Sequence, residues 1–84
     1  MIAINFISEW KQWSPGRIIV GHTGIEPIVF VSREAILIEG QSGSVLGMCN
    51  INIYGSGGNI EVVIPDDWQD GKFAHLCGTI VFLG

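Results

Sequence analysis

In "INIYGSGGNIEVVI", Ile51 to Ile64, apolar and polar residues alternate, stop at four Gly/Ser residues, and then resume in phase. Cys49, Ile51 and Ile53 fall on one side, with Asn50, Asn52 and Tyr54 on the other. Beyond the loop, Ile60, Val62 and Ile64 continue the apolar side, with Glu61 opposite. A period of two is the signature of a half-buried strand. A slip of one residue would turn every apolar side chain outward, so two in-phase runs across a short loop define a hairpin. The alternative for a glycine loop is a phosphate cradle. That needs a helix after the glycines and a lysine beside them. Here a strand follows and no lysine is near. "GSGG" is a turn.

The rest of the chain punctuates in the same way. "RIIVG", "PIVFVS", "AILIEG" and "SVLGMCNINIY" precede the turn, and "NIEVVIP" and "FAHLCGTIVFLG" follow it. These β-branched runs, separated by turn residues, predict about six strands. Gly47 and Gly78 lie inside the two longest runs, where glycine marks a bulge, a bend or a close backbone approach. The expectation is one mainly β domain over residues 1–84: a small curled antiparallel sheet, either a barrel or a compact sandwich. At the N-terminus, Ala3, Phe6, Ile7, Trp10 and Trp13 match helical spacing, and "SPG" at 14–16 stops it. The spacing predicts a short amphipathic helix near 3–13, packed on the sheet through Trp10 and Trp13. The same segment also carries a strand-like set, Ile2, Ile4 and Phe6. "HLCGTIVFLG" resembles a glycine-bearing strand of Sm-like barrels. However, Cys77 stands where that pattern has a basic residue, and the RNA-binding residues are absent, so the resemblance implies no activity.

Composition bears on what the domain does. Hydrophobic residues make up 48% of the 84 and charged residues only 14%. Soluble domains carry about 25% charged residues. A chain this small cannot bury that apolar excess alone, which predicts a homo-oligomer or an apolar contact with a partner. The net charge of −4, with Lys11, Arg17, Arg33 and Lys72 scattered, offers no basic stripe for phosphates, so nucleic acid is not an expected partner. The longest uncharged run, residues 40–60, contains six glycines and cannot be a spanning helix. "MIAINFISEWKQW" lacks the basic start and unbroken apolar core of a secretory signal, so a soluble, cytoplasmic protein is expected, with no membrane partner.

Candidate chemistry is sparse. His75 and Cys77 are two apart on a strand and could join Cys49 and His22 around zinc, but the paired-ligand spacing of zinc sites is missing. No metal or cofactor is expected, and both thiols read as reduced packing groups. "PDDWQDGK" places Asp66, Asp70 and Gly71 as in a calcium loop, yet Trp68 and Cys77 occupy positions that require oxygen ligands. It reads as a turn. His22, in "GHTG", has no carboxylate or serine partner to make it a general base. These features predict a non-enzymatic binding module that occupies a protein or a small ligand through apolar strand faces combined with loops 21–26 and 65–72. The recognition residues expected there are His22, Thr23, Asp66, Asp67, Trp68 and Asp70. Trp68 is either a lid on the core edge or an exposed contact residue. Such a chain suits an accessory or inhibitory protein, of the kind a phage encodes against a host defence system. One alternative is a structural subunit of a larger assembly, such as a viral one. The other is a small enzyme whose His22, His75, Asp66 or Asp67 converge from different subunits.

Overall fold

The computed structural model describes residues 2–7, 11–39, 42–69 and 71–83. They form seven strands: β1 (Ile2–Ile7), β2 (Lys11–Trp13), β3 (Gly16–His22), β4 (Val31–Ile38), β5 (Val45–Tyr54), β6 (Asn59–Ile64) and β7 (Lys72–Phe82). The order across the sheet is β1-β7-β4-β5-β6-β3, every pairing antiparallel, with short β2 also on β7. The result is a single curled sheet, a half-barrel.

The hairpin read from "INIYGSGGNIEVVI" is present. Tyr54 pairs with Asn59, Ile53 with Ile60 and Ile51 with Val62, leaving 55–58 as the turn. The register carries one face around the sheet. Val31, Ala35 and Leu37 of β4 meet Ile53, Cys49 and Gly47 of β5, and Leu37 meets Leu76 of β7. Buried residues on that face, with Ile80, Phe82, Trp13 and Trp68, make the core. Burial of a side chain of this size contributes about 1.5–3 kcal/mol, so this one face holds the curled sheet together.

Gly47 shows why a long strand here needs an interruption. The β4–β5 register shifts beside it, from Leu37↔Gly47 to Ile38↔Val45. A Cβ on Gly47 would stand 2.9 Å from Cζ3 of Trp68. The missing side chain lets the indole lie directly on the strand.

Two expectations are corrected. Among the described residues there is no helix: Ile2–Ile7 pair with Cys77–Phe82 and Lys11–Trp13 with Lys72–Ala74. A helix of about ten residues is marginal by itself. β7 offers eleven residues of backbone that need a partner, so the period-two set Ile2, Ile4 and Phe6 prevails over the helical spacing. Trp13 packs from β2, and Trp10 lies outside the described residues. Further along, "PIVFVS" and "AILIEG" are not two strands. Ser32, Arg33 and Glu34 continue the pairing as Ser32↔Asn52, Arg33↔Ile51 and Glu34↔Asn50, so one strand runs from Val31 to Ile38. Residues 23–30 before it are irregular.

Candidate functional site

β3 is an edge strand. It pairs with β6 and with no other strand among the described residues. Ile18, Ile19 and Val20 are each close to half exposed. The chain then leaves the sheet and crosses to β4. Thr23 N–H donates to the Gly58 carbonyl at 2.9 Å and Gly24 N–H to the Gly57 carbonyl at 3.0 Å, which fixes the start of the crossing to the 55–58 turn. Ile28 N–H donates to the Leu83 carbonyl at 2.9 Å, which fixes the middle. Phe30 lies against Tyr54, ring centroids 5.9 Å apart. Between these anchors, Ile28, Val29 and Phe30 are exposed by 70%, 64% and 62%. Three consecutive large apolar residues held outward on an anchored segment are unusual, since exposed apolar side chains on monomers are normally scattered.

The expected recognition residues fall into two separate groups. His22 ends β3 opposite Asn59 and is exposed. The Thr23 hydroxyl closes a local turn, donating to the Ile25 carbonyl at 2.7 Å and accepting from Ile25 N–H at 3.1 Å. Asp66 and Asp67 are exposed in the turn after Pro65, where Trp68 N–H donates to the Pro65 carbonyl at 3.1 Å. Five residue steps of β6 separate Asn59 from Ile64, so the two loops sit about 17 Å apart, at opposite ends of the hairpin. Asp70 lies outside the described residues.

Trp68 is only 7% exposed. Its Nε1–H donates to the Trp13 carbonyl at 3.1 Å, and the Trp13 Nε1–H donates to the Ala74 carbonyl at 3.0 Å. Of the two roles open to it, the structure shows the lid. A cleft of about 470 Å³ runs beside it, lined by Leu46, Gly47, Met48, Asp67, Gln69 and Lys72 among others, with the Lys72 ammonium 5.8 Å from the indole centroid.

Among the described residues no three His, Cys, Asp or Glu side chains are grouped to hold a metal ion. Register explains part of this. Cys49 shares the core face with Ala35, whereas Cys77 and His75 alternate with buried Leu76 and face the other way. Burial also pushes the Cys49 thiol up to about 11, which keeps it protonated and unreactive at neutral pH. No helix among the described residues is long and apolar enough to cross a membrane.

One polar cluster escaped the sequence reading. On the outer face, Glu61 accepts from Asn52 Nδ2 at 3.1 Å, Tyr54 OH at 3.1 Å and Arg17 at 3.1 Å. Asn52 is buried, so its amide needs this partner. Hydrogen bonds from Asn52 first, then from Tyr54 and Arg17, hold the Glu61 carboxyl below the ordinary 4.5. The same carboxylate raises the Tyr54 phenol above its usual range. The hairpin register made Asn52↔Glu61 legible, because a four-residue turn closed by Tyr54 and Asn59 sets that pair. The cluster ties Arg17 of β3, Asn52 and Tyr54 of β5 and Glu61 of β6 to one carboxylate, so it reads as a clamp between the three strands.

A pH dependence follows from the clamp. With its folded pKa depressed, Glu61 contributes stability that is present above 4.5 and lost as pH falls through the lower folded value. Thermal midpoints at pH 6 and pH 3.5 should drop further in the wild-type chain than in Glu61→Gln. Equal drops in the two proteins would remove the clamp's share.

No protein-family model, curated protein or solved structure matches the chain.

Proposed function

We propose that the chain is a non-enzymatic, homo-oligomeric binding module that acts by occupying a protein partner, in an accessory or inhibitory role. The observation that supports this most directly is the outward run Ile28-Val29-Phe30, which is fastened at Ile28 by a backbone hydrogen bond to Leu83 and follows a segment, Thr23-Gly24, tied to the 55–58 turn. Apolar residues on a pre-ordered segment bind without the loop-ordering cost that otherwise adds to the loss of translational and rotational freedom on association. An aromatic flanked by aliphatics is also the composition of an interface centre. A protrusion of this kind suits a groove on a protein better than a small molecule, which needs concave surroundings. His22 and Thr23, at the start of the crossing, supply polar rim groups. The exposed Asp66 and Asp67 belong to the other end of the hairpin and would serve a second contact.

A structural subunit of a larger assembly is the second reading, and the two sheet edges left open among the described residues, β1 and β3, favour it. Unpaired edges template further strands, which gives open polymers when the contact is head-to-tail.

The test uses the double variant Val29→Ser with Phe30→Ser. Both residues are exposed, so the melting temperature should change by only a few degrees. A protein retained by the immobilised wild-type chain from a candidate host lysate should be retained at least tenfold less by the variant. Equal retention by both would remove residues 28–30 as the contact surface.

A further inference from the structure

We infer that the cleft beside Trp68 binds a small zwitterion with an apolar side chain. The ligand is an apolar α-amino acid or dipeptide whose free ammonium meets Asp67 and whose free carboxylate meets Lys72. This goes beyond the proposed protein contact, because the cleft lies at Pro65, the other end of the β5–β6 hairpin from Phe30 and Tyr54.

The cleft follows from how the 65–69 turn is held. Pairing between β5 and β6 ends at Asn50↔Val63, so the turn leaves the sheet while β5 continues back to Val45 beside β4. Trp68 N–H donates to the Pro65 carbonyl at 3.1 Å and Lys72 N–H to the Gln69 carbonyl at 3.2 Å, which fastens the turn at both ends. Gly47 has no side chain, and the Trp68 indole occupies the place where one would stand. The space left between strand and turn is about 470 Å³. Small-molecule sites span about 300–1,000 Å³. Leu46, Met48 and Pro65 give it apolar walls. Met48 is half exposed, and its unbranched thioether adapts to side chains of different shape.

Charge selects the occupant. Asp67 and Lys72 line the same cleft. Among the described residues neither is ion-paired, with the other or with a third side chain. The Lys72 ammonium sits 5.8 Å from the indole centroid, in cation–π range, which holds it at the wall and leaves N–H donors for an acceptor. A simple anion would satisfy Lys72 but face Asp67, on a chain whose net charge is already −4. A simple cation would satisfy Asp67 but face Lys72. Like charges brought together reject both. A zwitterion meets each charge with its complement, through charge-assisted hydrogen bonds roughly twice as strong as neutral ones. The apolar walls then take an apolar side chain, since a polar one would lose its water there without a partner.

Titrating the wild-type chain with leucine and with leucyl-leucine, followed by the Trp68 indole N–H resonance, tests this. At least one ligand should saturate, and N-acetylating or amidating it should each weaken binding by roughly tenfold or more. Tighter binding of leucine identifies a free amino acid and tighter binding of leucyl-leucine a peptide; either supports the zwitterion. Lys72→Met should abolish the preference for the free carboxylate over the amide and keep that for the free ammonium. Asp67→Asn should do the reverse. Neither side chain belongs to the core, so a retained cooperative melt shows that each variant is folded. Val29→Ser with Phe30→Ser should leave the titration unchanged, which separates this site from the proposed protein contact. No saturation by either ligand at millimolar concentration would overturn the inference. So would capped ligands that bind equally well, or charge preferences that survive both single variants.

Discussion

Trp68→Ala should lower the stability of the folded chain by about 3–5 kcal/mol, the range for removing a buried large aromatic. The indole is 7% exposed, lies on Gly47, and donates from Nε1 to the Trp13 carbonyl. Nothing else in the 65–69 turn has the volume to refill that space. A chain of this length has roughly 4–13 kcal/mol in total, so the variant forfeits a large part of it. At about 4–8 °C per kcal/mol, the melting temperature should fall by at least 12 °C. Trp68→Phe keeps most of the ring but leaves the Trp13 carbonyl without its donor, and should fall between the two, by about 1–3 kcal/mol. Urea unfolding of the three proteins checks this. A loss below 1 kcal/mol for Trp68→Ala would show that the ring is not part of the core. Any effect of this variant on binding has to be read after folding, since the buried ring acts on stability first.

How much of this was legible in sequence depended on where each answer lay along the chain. The β5–β6 hairpin was legible because its period, phase and turn residues all lie within fourteen residues, Ile51 to Ile64. β1 was not. "IAINFI" satisfies both periods, and the tie is broken by β7, whose paired residues lie 70 or more positions away. "SRE" looked like a turn because it is polar. Ser32 and Glu34 lie on the outer face, where a strand tolerates polar residues, and β4 continues through them. Trp68 left two roles open for a similar reason: whether a loop tryptophan is covered depends on what lies beneath it, here Gly47 on another strand.

The candidate surface was the hardest to foresee. "PIVFVS" carries the composition of a strand, and strand composition predicts burial. Exposure of Ile28, Val29 and Phe30 arises because residues 23–30 span from the β3–β6 end to β4 without a partner strand of their own. Composition signalled the apolar excess but not its address. The two loops named from sequence, 21–26 and 65–72, turn out to flank opposite ends of one hairpin, so only the first adjoins the exposed run.

That adjacency makes Gly58 the position where folding and the proposed contact meet, and Gly58→Ala should cost about 3 kcal/mol. Two effects add. Gly58 has a φ of +64°, in the left-handed region, where an alanine costs about 1–2 kcal/mol. A Cβ there would also collide with the Thr23 hydroxyl and the Ile25 carbonyl. The 23–25 backbone would have to retreat, weakening the Thr23→Gly58 and Gly24→Gly57 hydrogen bonds, each worth about 1 kcal/mol. Gly57 provides the internal control. Its φ is +81°, yet nothing stands within 4 Å of a Cβ built on it, so Gly57→Ala should show the backbone strain alone, about 1–2 kcal/mol. Denaturant unfolding of the pair isolates the contact as the difference between them. The same retreat loosens the start of the crossing, so Gly58→Ala should also weaken partner retention under conditions where the chain remains folded, while Gly57→Ala leaves it unchanged. Equal stability losses in the two variants would mean that the 23–25 loop does not rest on the turn, and the anchored segment would lose its fixed end.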